Sequence, residues 1–112
     1  MEFIQQQHGQ VMILELQGQR LDAYHAAALK QSVLDLMQQG HNKLVLGFSR
    51  VRFLDSGGLG VLVDLNKRLR APAGLVLCQI QERTINDVLR LTRMDQVLNI
   101  VADQKQAINA FD

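Results

Sequence analysis

With 112 residues, the chain is the size of one domain, since single domains commonly hold about 100–150 residues. Its 47% hydrophobic and 21% charged residues are near globular averages and exclude disorder as the main state. Twelve Lys+Arg against eleven Asp+Glu leave a formal charge of +1, with no general pull toward nucleic acid or an anionic membrane. Four Phe, one Tyr and no Trp make a stacking platform for single-stranded nucleic acid a poor fit. The lone cysteine, Cys78, can neither close an internal disulfide nor supply a multi-cysteine zinc site. The opening MEFIQQQHGQ has no basic region leading into an apolar stretch. No apolar run approaches the roughly 18–20 residues that span a bilayer. We therefore expect a soluble, cytoplasmic single domain over residues 1–112, without membrane insertion.

In chain order, Phe3–Gln6 is a weak strand candidate, and His8-Gly9-Gln10 can turn it back into the apolar run Val11–Leu16. From Ala23 to Gln39, Ala26, Leu29, Val33, Leu36 and Met37 recur at three- and four-residue intervals. Lys30, Gln31, Asp35, Gln38 and Gln39 take the other side, which predicts an amphipathic helix stopping at Gly40. Leu44–Phe48 reads as a second continuous apolar strand, of the kind that is covered on both faces. A helix follows from near Gly57 to about Arg70, with Leu62, Leu65 and Leu69 as its stripe and Pro72 as its stop. Leu75–Ile80 is a third apolar strand after a turn at Ala71-Pro72-Ala73-Gly74. Arg83–Leu91 predicts a short helix carrying Ile85, Val88 and Leu89. A last strand is expected in Val97–Val101 and a last helix over Asp103–Phe111, with Asp103 as its N-cap. The order β-β-α-β-α-β-α-β-α predicts an α/β fold: a mixed sheet of four to five strands with four helices packed mainly on one side.

The informative segment is Phe53-Leu54-Asp55-Ser56-Gly57-Gly58-Leu59-Gly60, which opens the second helix. Asp55 and Ser56 are both favoured caps, because their oxygens accept amide hydrogens that the first helical turn leaves unpaired. A helix start with exposed amides also tolerates a negative phosphate. An ordinary capped turn accounts for one polar residue. It accounts less well for two, followed by three glycines in four positions, because glycine weakens a helix's first turn.

Sharper catalytic readings fail on residue identity. A hydrolase nucleophile elbow needs glycine where Leu54 stands. No Gly-Lys-Ser/Thr ending exists for a P-loop, and a dinucleotide fingerprint from Gly58 meets Val63 where glycine or alanine belongs. His8, His25 and His41 are far from Ser56 in sequence. We expect no enzyme, no metal site and no cofactor; a small-ligand or nucleotide module would rest on the glycines alone. Cys78 reads as a buried, inert thiol. Lys67, Arg68 and Arg70 suit the negative end of their helix. Arg50 and Arg52, near the Ser56 loop, are candidates to position a phosphate or an acidic partner surface.

On these residues the chain resembles STAS domains of the bacterial anti-sigma factor antagonist group, whose signature is Asp-Ser-Ser/Thr-Gly-Leu-Gly after an apolar pair. Residues 53–60 match it at every position but Gly57, which replaces the second hydroxyl residue. Gly18-Gln19-Arg20-Leu21-Asp22 resembles the family's Gly-x-Leu-Asp turn with one extra residue. Leu29-Lys30, Leu44-Val45-Leu46 and the Leu98–Phe111 tail agree in order and spacing. Gly47 stands where many relatives have Asp or Asn, and Met94 where many have Gly.

The resemblance implies a partner switch. Ser56 would be the phosphoacceptor, and Asp22, Asp55, Ser56, Gly57, Gly58 and Leu59 would form the partner-binding face. The unphosphorylated form would bind an anti-sigma factor that is itself an ATP-dependent serine kinase. Phosphorylation would release that partner, and a metal-dependent serine phosphatase would restore the antagonist. Relatives of this kind also serve outputs without a sigma factor, such as polysaccharide, biofilm or motility control. Others act as non-switching subunits of membrane transport complexes.

Overall fold

The computed structural model describes residues 1–69 and 74–111; Arg70 of the basic cluster, the expected stop at Pro72 and most of the turn around it lie outside the described residues. Strand β1 (Phe3–His8) returns through Gly9 at φ 62° into β2 (Val11–Leu16) as an antiparallel hairpin, with His8 opposite Val11. A two-residue strand, β3 (Arg20–Leu21), precedes helix α1 (Ala23–Gln38). Strand β4 (Leu44–Gly47), a second two-residue strand β5 (Phe53–Leu54) and helix α2 (Ser56–Leu69) follow. The chain closes with β6 (Leu75–Cys78), α3 (Arg83–Leu91), a single 3-10 turn at Met94–Gln96, β7 (Asn99–Ile100) and α4 (Gln104–Asn109).

Five strands form one sheet in the order β1-β2-β4-β6-β7, antiparallel at β1 and parallel across the rest. Alternation along each strand divides two faces by residue type. Met12, Leu14, Leu16, Leu44, Leu46, Leu75 and Leu77 join Leu29, Val33, Leu62, Leu65, Ile85 and Leu89 of α1, α2 and α3 in the main core. Val11, Ile13, Val45, Val76 and Cys78 face Ala107, Ile108 and Phe111 of the α4 region. Long leucines reach toward three helices, whereas compact side chains suffice under one short helix. Both faces of the central strands are covered, which is why their sequences are continuously apolar. Full burial of each such side chain contributes about 1.5–3 kcal/mol.

The element ends follow local chemistry. Helix α1 closes with Gly40 at φ 95°, Gly40 N–H donating to the Met37 carbonyl and His41 N–H to the Leu36 carbonyl, the paired bonds of a Schellman stop. Strand β6 ends two residues before the expected Ile80, because Gln79 takes φ 60° and leaves the extended region. Strand β7 is shorter than Val97–Val101, since Val97 and Leu98 donate their amides to the Met94 carbonyl and close off the 3-10 turn. Asp103 caps α4 through a 2.8 Å bond from Gln106 N–H, but the helix ends at Asn109 rather than Phe111. The β3–β5 pair and the 3-10 turn were not expected from sequence; two-residue strands carry no periodicity to read.

Arg93 is exposed and held at φ 61°, ψ 19° between α3 and the 3-10 turn. A side-chain-bearing residue there costs about 1–2 kcal/mol, partly offset in glycine by its greater unfolded freedom. Arg93→Gly is expected to stabilise the fold by about 0.5–1 kcal/mol, read as a later urea midpoint at unchanged slope.

Candidate functional site

The site is built where two helices begin side by side. Strands β3 and β5 pair in parallel, Arg20 opposite Phe53 and Leu21 opposite Leu54, and each runs straight into a helix cap. Asp22 caps α1, its Oδ1 accepting the His25 backbone N–H at 2.9 Å. Asp55 caps α2, its Oδ1 accepting Gly58 N–H at 2.8 Å while its carbonyl accepts Leu59 N–H. With Asp55 in the capping role, Ser56 becomes the first residue of α2 and is exposed. Its hydroxyl takes part in no hydrogen bond among the described residues.

The glycines after Ser56 are set by contact between the two helix starts. A Cβ on Gly57 would lie 2.5 Å from Ala23 Cβ and 2.9 Å from Ala23 Cα. A Cβ on Gly58 would lie 2.1 Å from the Leu21 carbonyl oxygen and 2.9 Å from Leu54 Cδ1. Gly57 therefore lets α2 approach α1, and Gly58 lets it approach β3. This gives a steric reason for the position at which the loop departs from the signature it resembles. Leu59, half-buried, anchors the turn on the main core.

Charge around the loop is arranged in pairs. Asp22 Oδ1 also lies 2.7 Å from His25 Nδ1, and Arg20 Nε is 3.8 Å from Asp22 Oδ2. The backbone hydrogen bond from His25, then its ring, hold the Asp22 carboxyl below its ordinary value of 3.8. The Arg20 guanidinium lies 4.2 Å above the centre of the Phe53 ring, a cation–π contact. Beyond Phe53, an apolar groove of ≈ 300 Å³ runs between β5 and α3, lined by Phe53, Leu54, Thr84, Ile85 and Val88. Tyr24, 81% exposed, meets the His25 ring edge-on.

The fold thus brings Asp22, Asp55, Ser56, Gly57, Gly58 and Leu59 to one place. The two flanking arginines are separated from one another in role. Arg52 donates to Glu82 Oε1 at 2.8 Å, toward α3, whereas Arg50 is exposed and lines a small polar concavity with Gln17, Gln19, Ser49 and Arg52. Lys67 and Arg68 sit in the last turn of α2, where Arg68 bonds Asp64 at 3.0 Å; Asp64 in turn holds Lys30 of α1 at 2.9 Å. Cys78 is fully buried, and desolvation, with smaller effects of Asp103 and Glu15, pushes its thiol up to about 11. The sequence alone gave no role at the site to His25, Arg20, Ala23 or Phe53. The Asp22-x-x-His25 spacing was the available signal for the first, because a cap and its third helical residue touch. No helix among the described residues is long and apolar enough to cross a membrane.

Gly58→Ala is expected to destabilise the protein by more than about 2 kcal/mol, since a backbone carbonyl cannot step aside. Gly57→Ala is expected to cost less, with part of its loss recovered in an Ala23→Gly background; a denaturant double-mutant cycle measures the coupling. Because the folded Asp22 pKa lies below its unfolded value, the charged cap stabilises the fold at neutral pH. That contribution is lost as pH falls from about the unfolded value of 3.8 through the folded one. Carboxyl NMR is expected to give an Asp22 midpoint below 3.8 that rises in His25→Ala.

Comparison with known proteins agrees with the fold. Residues 2–107 match the STAS domain. The chain is 28% identical over 90 residues to a Thermotoga maritima protein provisionally named an anti-sigma factor antagonist, covering 80% of each. It is similar to a crystal structure of a provisionally named anti-sigma factor antagonist from Thermotoga maritima, with TM-score 0.81, 29% identity, and 96% and 92% of the two chains covered. The Bacillus cell fate determinant SpoIIAA, solved in its phosphorylated form, shares the fold with TM-score 0.71 at 20% identity, covering 99% of this chain and 100% of that one. The match spans the sheet, both helix starts and α4 up to Ala107, and on that extent the chain belongs to the STAS domain family.

Proposed function

We propose that this protein is a partner-switching regulator of the anti-sigma factor antagonist type, with Ser56 as its phosphoacceptor. The observation that carries the reading is the division of labour at α2: Asp55 does the capping, so the Ser56 hydroxyl is exposed and uncommitted. A serine that served as the cap would spend its oxygen on the backbone and be poorly placed for phosphoryl transfer. Gly57 carries no hydroxyl, which leaves Ser56 as the loop's single acceptor. The relatives' names point the same way, and a phosphorylated form exists for the Bacillus protein of the same fold.

The partner we propose is an anti-sigma factor with ATP-dependent serine kinase activity, bound through Asp22, Asp55, Ser56, Gly57, Gly58 and Leu59. A metal-dependent serine phosphatase would reverse the modification. The domain itself carries out no reaction; it presents a hydroxyl and a surface. Phosphorylation adds about −1.5 to −2 charges and three acceptor oxygens at one point. The start of α2 accommodates that charge within the domain, whereas a closely apposed partner would desolvate it between the Asp22 and Asp55 carboxylates. A loss of roughly 3–4 kcal/mol weakens binding several hundredfold, sufficient to exchange partners without refolding.

The test is the intact mass of the protein purified from its own cells beside a Ser56→Ala version. A species heavier by one phosphate is expected in the wild type only, with Ser56→Ala retained on its kinase partner in the presence of ATP. If no condition yields that species and Ser56→Ala functions normally, the loop is a capped turn that docks a constitutive partner, such as a membrane transport complex.

A further inference from the structure

We propose that Arg20 is the side chain that receives the phosphate of a phosphorylated Ser56, leaving Phe53 and Asp22 to do so. The inference rests on Ser56 being the acceptor, and adds that the modification rearranges the docking face as well as charging it. Arg20 and Phe53 are paired and in contact across the two chains, Asp22 follows Arg20 in extended backbone with a carboxylate oxygen 3.8 Å from the Arg20 Nε, and Asp55 holds the equivalent cap position after Phe53–Leu54. Ser56 follows at the end of that row, and the contact of Gly57 with Ala23 pins it beside the start of α1.

Among the charges on this row, Arg20 is the one held loosely. Asp22 Oδ1 is committed to the His25 backbone N–H at 2.9 Å and His25 Nδ1 at 2.7 Å, and Arg20 Nε stands 3.8 Å from the other oxygen, beyond hydrogen-bond range. Its remaining hold is the face of Phe53, 4.2 Å away. By contrast, Arg52, Arg68 and Arg90 have carboxylates at 2.8, 3.0 and 2.8 Å. Arg20 is 61% exposed along its side chain, so it moves without disturbing the core. A phosphate on Ser56 would face Asp22 and Asp55 as like charges, with His25 already turned to Asp22. The guanidinium of Arg20 is the cation on this row free to form the bidentate pair that phosphate favours. Its departure uncovers the Phe53 ring at the head of the apolar groove and removes a counter-ion from Asp22. Arg20 also belongs to the Gly18–Asp22 turn that is one residue longer than the pattern it resembles.

The experiment places phosphoserine at position 56 by genetic encoding, so no kinase is needed. It compares this protein with the unmodified chain and with an Arg20→Gln version of each. In the unmodified chain the Arg20 Nε–H proton is expected upfield, shielded by the Phe53 ring, and in the phosphorylated chain it is expected to move downfield as it binds phosphate. The phosphate's second ionisation, followed by 31P NMR, is expected about half a pH unit lower with Arg20 present than in the Arg20→Gln version, since an opposite charge favours the ionised form. An unmoved Arg20 proton, or coincident 31P midpoints in the two phosphorylated proteins, overturns the assignment. That failure leaves Ser56 as acceptor to the mass measurement, and absence of phosphate in cells would in turn leave the NMR result standing.

Discussion

The parallel pairing of Arg20–Leu21 with Phe53–Leu54 fixes how far apart the two helix starts can be, and the site's geometry depends on that distance. Each strand is only two residues long, so its few hydrogen bonds could not hold it alone. Buried Leu21 and Leu54 tie the pair into the main core. Once paired, the chains enter α1 and α2 through equivalent caps, Asp22 and Asp55. Steric contact completes the arrangement: Gly57 meets Ala23, and Gly58 meets the Leu21 carbonyl.

Packing and function converge at the same glycines. In isolation they weaken the first turn of α2 by roughly 1 kcal/mol each relative to alanine. In the folded domain they permit an approach that no other residue allows. The sheet beneath, with leucines toward three helices and compact side chains toward α4, backs that approach while Arg20, Phe53 and Ser56 of the outer row stay exposed. An exposed row on a packed scaffold is what the proposed partner switch requires.

The electrostatics divide in the same way. Pairs that join elements, Asp64 with Lys30 and Arg52 with Glu82, are close, at 2.9 and 2.8 Å. They link α1 to α2 and the β5 segment to the start of α3. At the row beside Ser56 the Arg20–Asp22 contact is longer, and an aromatic face takes the place of a second carboxylate. The buried Cys78 thiol, raised to about 11, stays protonated at neutral pH and lies on the α4 side of the sheet, away from this row.

Much of the fold was legible in the chain because its signals are local. The apolar runs at Val11, Leu44 and Leu75, the stripe from Ala26 to Met37, the stop at Gly40 and the cap at Asp103 depend only on residues a few positions apart. The loop around Ser56 was legible as well, through two cap-forming residues and the glycines behind them. Tertiary structure decided what those local signals left open. Asp55 and Ser56 are equally good caps by type, and only the seating of α2 against β3 and α1 gives the cap to Asp55 and leaves Ser56 exposed. Arg20 and Phe53 join the site through a pairing across 33 residues of sequence, which a two-residue strand cannot announce. Periodicity records which face of an element is buried; it carries no record of which other element's start that face will meet.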